Sequence, residues 1–290
     1  MHFTEAKGIL HRNNGFCGMN IYRGCTHGCI YCDSRSLCYQ FTNEFEDVEV
    51  KRNAPELLDR ELRSKRKRCM IGTGAMSDPY MHCEKDLELT RKCIETADRH
   101  GFGFAVQTKS DLILRDIDLL DEVNRNTKAV VQMTLTTYDP GLCRLIEPNV
   151  CDTQRRIGVL ERFAERGIPL VVWLTPILPF INDTEENVRA ILRECVRLKV
   201  KGIICFGMGV TLRAGDREYF YAALDRHFPG LKNRYIRTYG DAYNVPSPHN
   251  NRLMRIFEDT CRSNGILYKS DECFAFLNEF PERHEQLSFF

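Results

Sequence analysis

Apolar residues gather into short runs along the first two thirds of the chain, and between those runs they recur at helical spacing. The runs are Met19-Asn20-Ile21-Tyr22, Cys69-Met70-Ile71-Gly72, Gly103-Phe104-Ala105-Val106, Ala129-Val130-Val131-Gln132-Met133, Leu170-Val171-Val172-Trp173 and Gly202-Ile203-Ile204-Cys205-Phe206. Each is short enough for a strand, and turn-forming residues bound them. The intervening patterns predict helices over about 53–67, 86–100, 115–126, 153–166 and 184–199. Asn53 with Pro55 makes a helix start, and Asp183-Thr184-Glu185-Glu186 opens another with capping and acidic first-turn residues. Strands alternating with helices predict a parallel sheet. Six such units suit an α/β fold, a partial (βα)6 barrel of the TIM type. The organisation expected is an N-terminal segment 1–18 with a turn at Asn13-Asn14-Gly15, a core 19–206, a C-terminal α-rich extension 207–280 packed on the core, and a flexible tail 281–290. Within the extension, helical patterns fall near 216–227 and 249–263, and Asn244-Val245-Pro246-Ser247-Pro248 reads as a polar loop.

One stretch stands apart from this alternation: Tyr22-Arg23-Gly24-Cys25-Thr26-His27-Gly28-Cys29-Ile30-Tyr31-Cys32. Its Cys-x3-Cys-x2-Cys spacing lets one loop turn three thiolates toward a shared centre. Zinc sites usually close with four protein ligands. Three close cysteines without an obvious fourth suit a four-iron cluster that keeps one iron open. Gly24 and Gly28 allow the loop to fold tightly without crowding the sulfurs. A zinc knuckle or a group of reduced thiols is the alternative reading. Cys17 and Cys38 flank the loop and read as structural thiols.

Bulk properties set limits. At 290 residues the chain buries a full core, and 43% hydrophobic with 28% charged residues is ordinary for a globular protein. A net charge of +1 points to neither nucleic acid nor membrane. The basic run Arg63-Ser64-Lys65-Arg66-Lys67-Arg68 precedes a strand, which puts it at the N-terminal rim of the sheet as a solvated helix end. Several of the 14 cysteines sit inside predicted helices and strands rather than framing loops. The start Met1-His2-Phe3-Thr4-Glu5-Ala6 carries no secretory pattern, and no apolar run has the length of a membrane span. The expectation is a reducing cytoplasm and no membrane partner.

The cysteine stretch, with the aromatic Tyr31 just before its third cysteine, resembles the cluster loop of the radical S-adenosylmethionine (SAM) enzymes. That resemblance implies a [4Fe-4S] cluster on Cys25, Cys29 and Cys32, with SAM on the open iron. It also implies reductive cleavage of SAM to a 5′-deoxyadenosyl radical, and an electron donor such as flavodoxin or ferredoxin. Independently, parallel βα barrels gather function at the C-terminal ends of their strands. Those ends carry Thr73 and Ser77, which suit the SAM ammonium. They carry Lys109 for its carboxylate, and Gln132 and Thr134 for its ribose. Tyr31 completes the expected cofactor-binding set.

The resemblance narrows to the spore photoproduct lyase-like branch on Tyr22-Arg23-Gly24-Cys25, His27-Gly28, Ser77-Asp78-Pro79-Tyr80, Thr108-Lys109-Ser110-Asp111, Glu147-Pro148 and Arg155-Arg156. It covers about residues 15–250 and is closest in pattern to the radical SAM mobile pair proteins, encoded beside a second radical SAM protein. The branch implies a DNA substrate. Its hydrogen-returning cysteine aligns with Ala75, a departure that leaves Cys83, Cys143 or Cys205 as substitutes or as ordinary buried thiols. Finally, Gln286-Leu287-Ser288-Phe289-Phe290 resembles the peptide that binds the bacterial DNA sliding clamp, with Phe289 where leucine is usual. The leading expectation is radical chemistry on a DNA nucleobase, by repair or modification. Tyr80, Tyr138, Arg237, Tyr239 and Tyr243 are candidates for stacking or phosphate contacts. Modification of RNA or a peptide with a companion protein, or a non-catalytic iron–sulfur partner subunit, are the alternatives.

Overall fold

The computed structural model describes residues 1–13 and 16–281. The predicted turn at 13–15 and the clamp-like tail lie largely or wholly outside them. Six parallel strands form the main sheet: β1 (Phe16–Met19), β2 (Met70–Thr73), β3 (Gly103–Thr108), β4 (Ala129–Thr134), β5 (Leu170–Trp173) and β6 (Gly202–Ile204). They pair in sequence order, and Leu10–Asn13 adds an antiparallel edge to β1, making a seven-stranded sheet. Among the described residues its two edges do not pair, so the barrel is open. β4 is buried at every position, as a strand covered on both faces must be.

The helices that return the chain between strands are α1 (Ala54–Arg63), α2 (Leu89–Arg99), α3 (Ile117–Asn126), α4 (Thr153–Glu165) and α5 (Glu185–Arg197). They cover the outer face of the sheet, where Ile71, Phe104, Val106, Val131, Val172 and Ile203 join Leu58, Ile94, Leu120, Phe163 and Ile191 in one core. Strand alternation turns Met70, Ala105, Val130, Val171 and Ile204 to the concave face.

The extension has four helices: α6 (Asp216–His227), α7 (Leu231–Tyr239), α8 (Asn250–Ser263) and α9 (Ser270–Asn278). They do different jobs. Phe220, Leu224 and Tyr235 of α6 and α7 pack on Cys29, Ile30 and Tyr31 of the cysteine loop. Leu253, Phe257 and Cys261 of α8 join the outer core. Cys273 and Leu277 of α9 cover the concave face.

Several expectations need correction. The run 19–22 is not one strand. Met19 ends β1, whereas Tyr22–Arg23 pairs with Glu49–Lys51 in a separate small sheet. The helix expected over 86–100 is two pieces, broken at Glu88 with φ +54°. Asn53 does not cap α1 through its side chain; its amide instead binds both backbone groups of Ala6 at 3.0 Å. Asn244–Pro246, read as loop, is a strand antiparallel to Gly209–Thr211. The helix start expected at 183–186, by contrast, stands: Thr184 caps it, accepting from Asn187 N at 3.2 Å. Among the described residues no helix is long and apolar enough to cross a membrane.

Candidate active site

The cysteine loop leaves the small sheet at Arg23 and is bound on two sides. Gly24 has φ +87°, and a Cβ there would lie 2.4 Å from the Phe45 carbonyl oxygen. That approach lets Cys25 N donate to the same oxygen at 3.0 Å. On the other side stands Ile146-Glu147-Pro148-Asn149. Ile30 N donates to Ile146 O (3.0 Å), Asn149 N donates to His27 O (3.2 Å), and Asn149 Nδ2 donates to Thr26 O (2.8 Å). Gly28, at φ +69°, leaves room for Pro148 and Asn149, each 3.1 Å from where its Cβ would stand.

Cys25 and Cys29 are buried and Cys32 is partly exposed. The three thiols are close enough to feel one another's charge. Burial pushes the Cys25 thiol up to about 12, and the Asp78 carboxylate adds to this. The backbone N–H groups of His27 and Asp78 pull the other way. Burial likewise raises Cys29 and Cys32, and in both the Lys109 ammonium opposes it. Metal binding requires thiolates, so a cationic neighbour favours it. Among the described residues no three His, Cys, Asp or Glu side chains are gathered for a single metal ion. A four-iron cluster takes each cysteine on a separate iron, and the donor set of three thiols beside a lysine fits such a group.

Asp78 ties this loop to the strand ends. Its carboxylate accepts from Tyr80 N (2.8 Å), Thr108 Oγ1 (2.7 Å) and Lys109 N (2.8 Å), and lies 3.4 Å from His27 Nδ1. Burial lowers the His27 pKa, against the opposing pull of Asp78. Lys109 follows β3, with Nζ 6.0 Å from the centre of the Tyr31 ring. Burial pushes its pKa down, but Cys29, Glu147 and Asp78 together push it above the ordinary lysine value.

Beneath the loop lies a network that periodicity gives no sign of. Glu147 and Arg156 are both fully buried and form an ion pair at 2.6 Å. Tyr31 donates its hydroxyl to Glu147, and Thr136 Oγ1 donates to the same carboxylate at 3.3 Å. Arg156 also donates to Thr134 O (3.1 Å) and Cys151 O (2.9 Å). Burial alone would raise the Glu147 pKa; Arg156, Lys109 and the Tyr31 hydrogen bond reverse this and hold it below the ordinary carboxylate value. Glu147-Pro148 and Arg155-Arg156 carry the family resemblance, yet only the fold shows that Glu147 and Arg156 pair. Arg155 instead points to Asp111 at the surface, at 2.9 Å.

The other predicted residues fall into distinct places. Gln132 and Thr134 lie on the concave side of β4, in alternation with Val130. Gln132 Oε1 accepts from Trp173 Nε1 at 3.0 Å. Thr73 shares the parity of Ile71, which packs on the outer helices. Ser77 donates to Tyr22 O at 2.6 Å. The aromatic candidates do not converge. Tyr80 is 1% exposed and donates to Asp116 at 3.0 Å. Tyr138 bonds to Asn187 and Glu194 on the α5 side. Tyr239 donates to Pro246 O, and the Tyr243 hydroxyl accepts from Arg213, both within the extension. Arg237 sits beside them on α7, bonded to Asn233 O. Of the cysteines considered for hydrogen return, Cys143 is buried against Glu147 at 3.5 Å, Cys205 lies 3.8 Å from Met254, and Cys83 is partly buried.

The radical SAM superfamily model matches residues 19–193. An uncharacterised protein of Mycobacterium tuberculosis is 29% identical over 241 residues, covering 81% of this chain and 70% of that one. One from Methanocaldococcus jannaschii is 32% identical over 169 residues, covering 58% and 62%. Among solved structures, a spore photoproduct lyase mutant with bound AdoMet and dinucleoside spore photoproduct superposes with a TM-score of 0.61. That match has 14% identity and covers 87% of this chain and 75% of that one. At that identity the likeness is one of fold.

Proposed function

The chain belongs to the radical SAM superfamily, and from that premise we propose that it uses radical chemistry on a nucleobase of DNA. The superfamily's cofactors are a [4Fe-4S] cluster and SAM. When bound they supply, by one-electron cleavage of SAM, a 5′-deoxyadenosyl radical that abstracts hydrogen from substrate. Cys25, Cys29 and Cys32 hold the cluster. Lys109, the cation beside Cys29 at the strand ends, takes the SAM carboxylate. Tyr31, Thr73, Ser77 and Thr134 make up the remaining contacts, with Thr134 serving from the concave face and Gln132, first expected at the SAM ribose, left for the substrate.

The observation that carries the enzyme reading is the clamped three-cysteine loop with the Lys109 ammonium beside it. The DNA reading rests on the spore photoproduct lyase-like motifs and on the fold shared with a lyase solved with a dinucleoside spore photoproduct. Ala75 separates the chain from strict spore photoproduct chemistry, so a related lesion or a base modification is the substrate class proposed. A base inside a duplex must be turned out of the stack to reach the concave face. The tail Gln286-Leu287-Ser288-Phe289-Phe290 would tether the enzyme to the sliding clamp. A second radical SAM protein and a flavodoxin- or ferredoxin-type donor complete the proposed partners in the cytoplasm.

The test is an anaerobic incubation of reconstituted protein with SAM, dithionite and base-deuterated, damaged DNA. Deuterium in the 5′-deoxyadenosine supports the reading and identifies the attacked position. Unlabelled 5′-deoxyadenosine with unchanged DNA turns the search to RNA or a peptide. No SAM cleavage by protein with a full cluster would leave the non-catalytic partner subunit.

A further inference from the structure

The aromatic side chains placed at the open mouth are not the tyrosines that sequence reasoning selects. Trp173 ends β5, Phe206 follows β6 by two residues, and Phe274 rises from α9 to meet them. The two phenylalanine rings are nearly parallel, at 19° and 6.3 Å between centres. Trp173 meets each of them edge-on at 6.0 Å. Phe206 is 61% exposed and Phe274 36%. A core cluster would not leave two such rings in water, and they stand where the C-terminal ends of β5 and β6 open beside the concave face.

Next to this surface lies unused hydrogen-bonding capacity. Gln132 is 5% exposed, and its carbonyl oxygen is taken by the Trp173 indole N–H. Its amide NH2 has no partner among the described residues. Gln107, half-buried, faces it directly across the β3–β4 ladder. Neither amide is sealed in the core, so two glutamines that face each other beside exposed rings can offer donors and acceptors to a ligand. The ligand must be flat, apolar on its faces and polar along its edge. We propose that Phe206 and Phe274, backed by Trp173, form the stacking platform for an unstacked nucleobase whose edge is read by Gln132 and Gln107. The rings are too close for a base to slide between them, so it stacks on the exposed face of Phe206. This rests on the DNA reading above and names the subsite that receives the base.

Trp173 is the single tryptophan of the chain, so its emission reports on the platform directly. Cluster-reconstituted protein with SAM is titrated with a single-stranded oligonucleotide and with an abasic strand of equal length and charge. The base-containing strand is expected to quench Trp173 saturably and to bind at least about five-fold more tightly than the abasic one, the effect of one stacked base. Phe206→Ala removes the preference, and Phe206→Tyr keeps it. Phe274→Ala, at a less exposed position, gives the same reading if Phe206→Ala fails to fold. Equal binding of both strands, unchanged by Phe206→Ala, overturns the platform and leaves the DNA reading standing. No binding of either strand, together with no deuterium transfer from DNA, overturns both. Self-association that Phe206→Ala abolishes assigns the rings to a contact between copies and also overturns the platform.

Discussion

Single side chains decide how the site is charged. Lys109 gains its raised pKa from three acidic neighbours rather than from exposure, so it is cationic at neutral pH. Replacing it by methionine would remove the proposed charge-assisted contact to the SAM carboxylate, worth about 1.5–3 kcal/mol. SAM affinity should then fall about ten- to a hundred-fold while iron content is kept; equilibrium binding to the reconstituted variant checks this. The buried pair Glu147–Arg156 behaves differently. Glu147→Gln strands a guanidinium in the core and should cost about 3–5 kcal/mol, whereas Glu147→Gln with Arg156→Met should cost clearly less; anaerobic denaturant unfolding of the three proteins checks the order. Asp216 carries a pH signature. Burial, with Asp33 nearby, raises its carboxyl from 3.8 to about 6, against the pull of the Arg213 backbone N–H, and among the described residues its Oδ2 has no partner. A carboxyl whose folded pKa is raised binds more protons folded than unfolded, so stability falls as pH climbs through the window from about 4 to about 6. Asp216→Asn should remove that loss, melting higher than wild type at pH 7 and converging with it near pH 4.

Among the elements, what the sequence discloses is what each segment decides for itself. Leu170–Trp173 and Asp216–His227 fall where the pattern predicts, because the first is one unbroken apolar run of strand length and the second buries Phe220, Ala223 and Leu224 in a single cluster. Met19 to Tyr22 misleads because its apolar side chains serve two sheets. α7 escapes notice because only Tyr235 of its nine residues is buried, so it shows no stripe. The cysteine loop is legible from spacing alone; its support from Ile146–Asn149, over a hundred residues away, is not. Gly24 joins the two levels. Its positive φ and the 2.4 Å approach to Phe45 O both exclude a side chain. Gly24→Ala should therefore lower the iron retained after reconstitution, measured against protein, while the far-ultraviolet circular dichroism keeps its helical signal.

At the scale of the whole molecule, an open sheet needs something to cover its concave side, and the extension supplies it in parts. α9 packs on the concave face, and α6 and α7 hold the cysteine loop. The extension is thus a component of the site, and the core 19–206 alone would leave Met70, Val130 and Val171 uncovered. This is why the family match, ending at residue 193, does not span everything that shapes the mouth.

The reciprocal bonding of the cysteine loop with Ile146–Asn149 also has a kinetic side. Ile30 N–H is protected by Ile146, and Asn149 N–H is protected by His27. Neither amide reaches solvent unless the two segments part, and one parting frees both. In heavy water the two should exchange at matching rates set by a single opening. Removing the iron should quicken both together while Val131, deep in β4, keeps its pace. Mass-resolved exchange on loaded and chelated protein would read this directly, and different rates at Ile30 and Asn149 would mean the segments open separately.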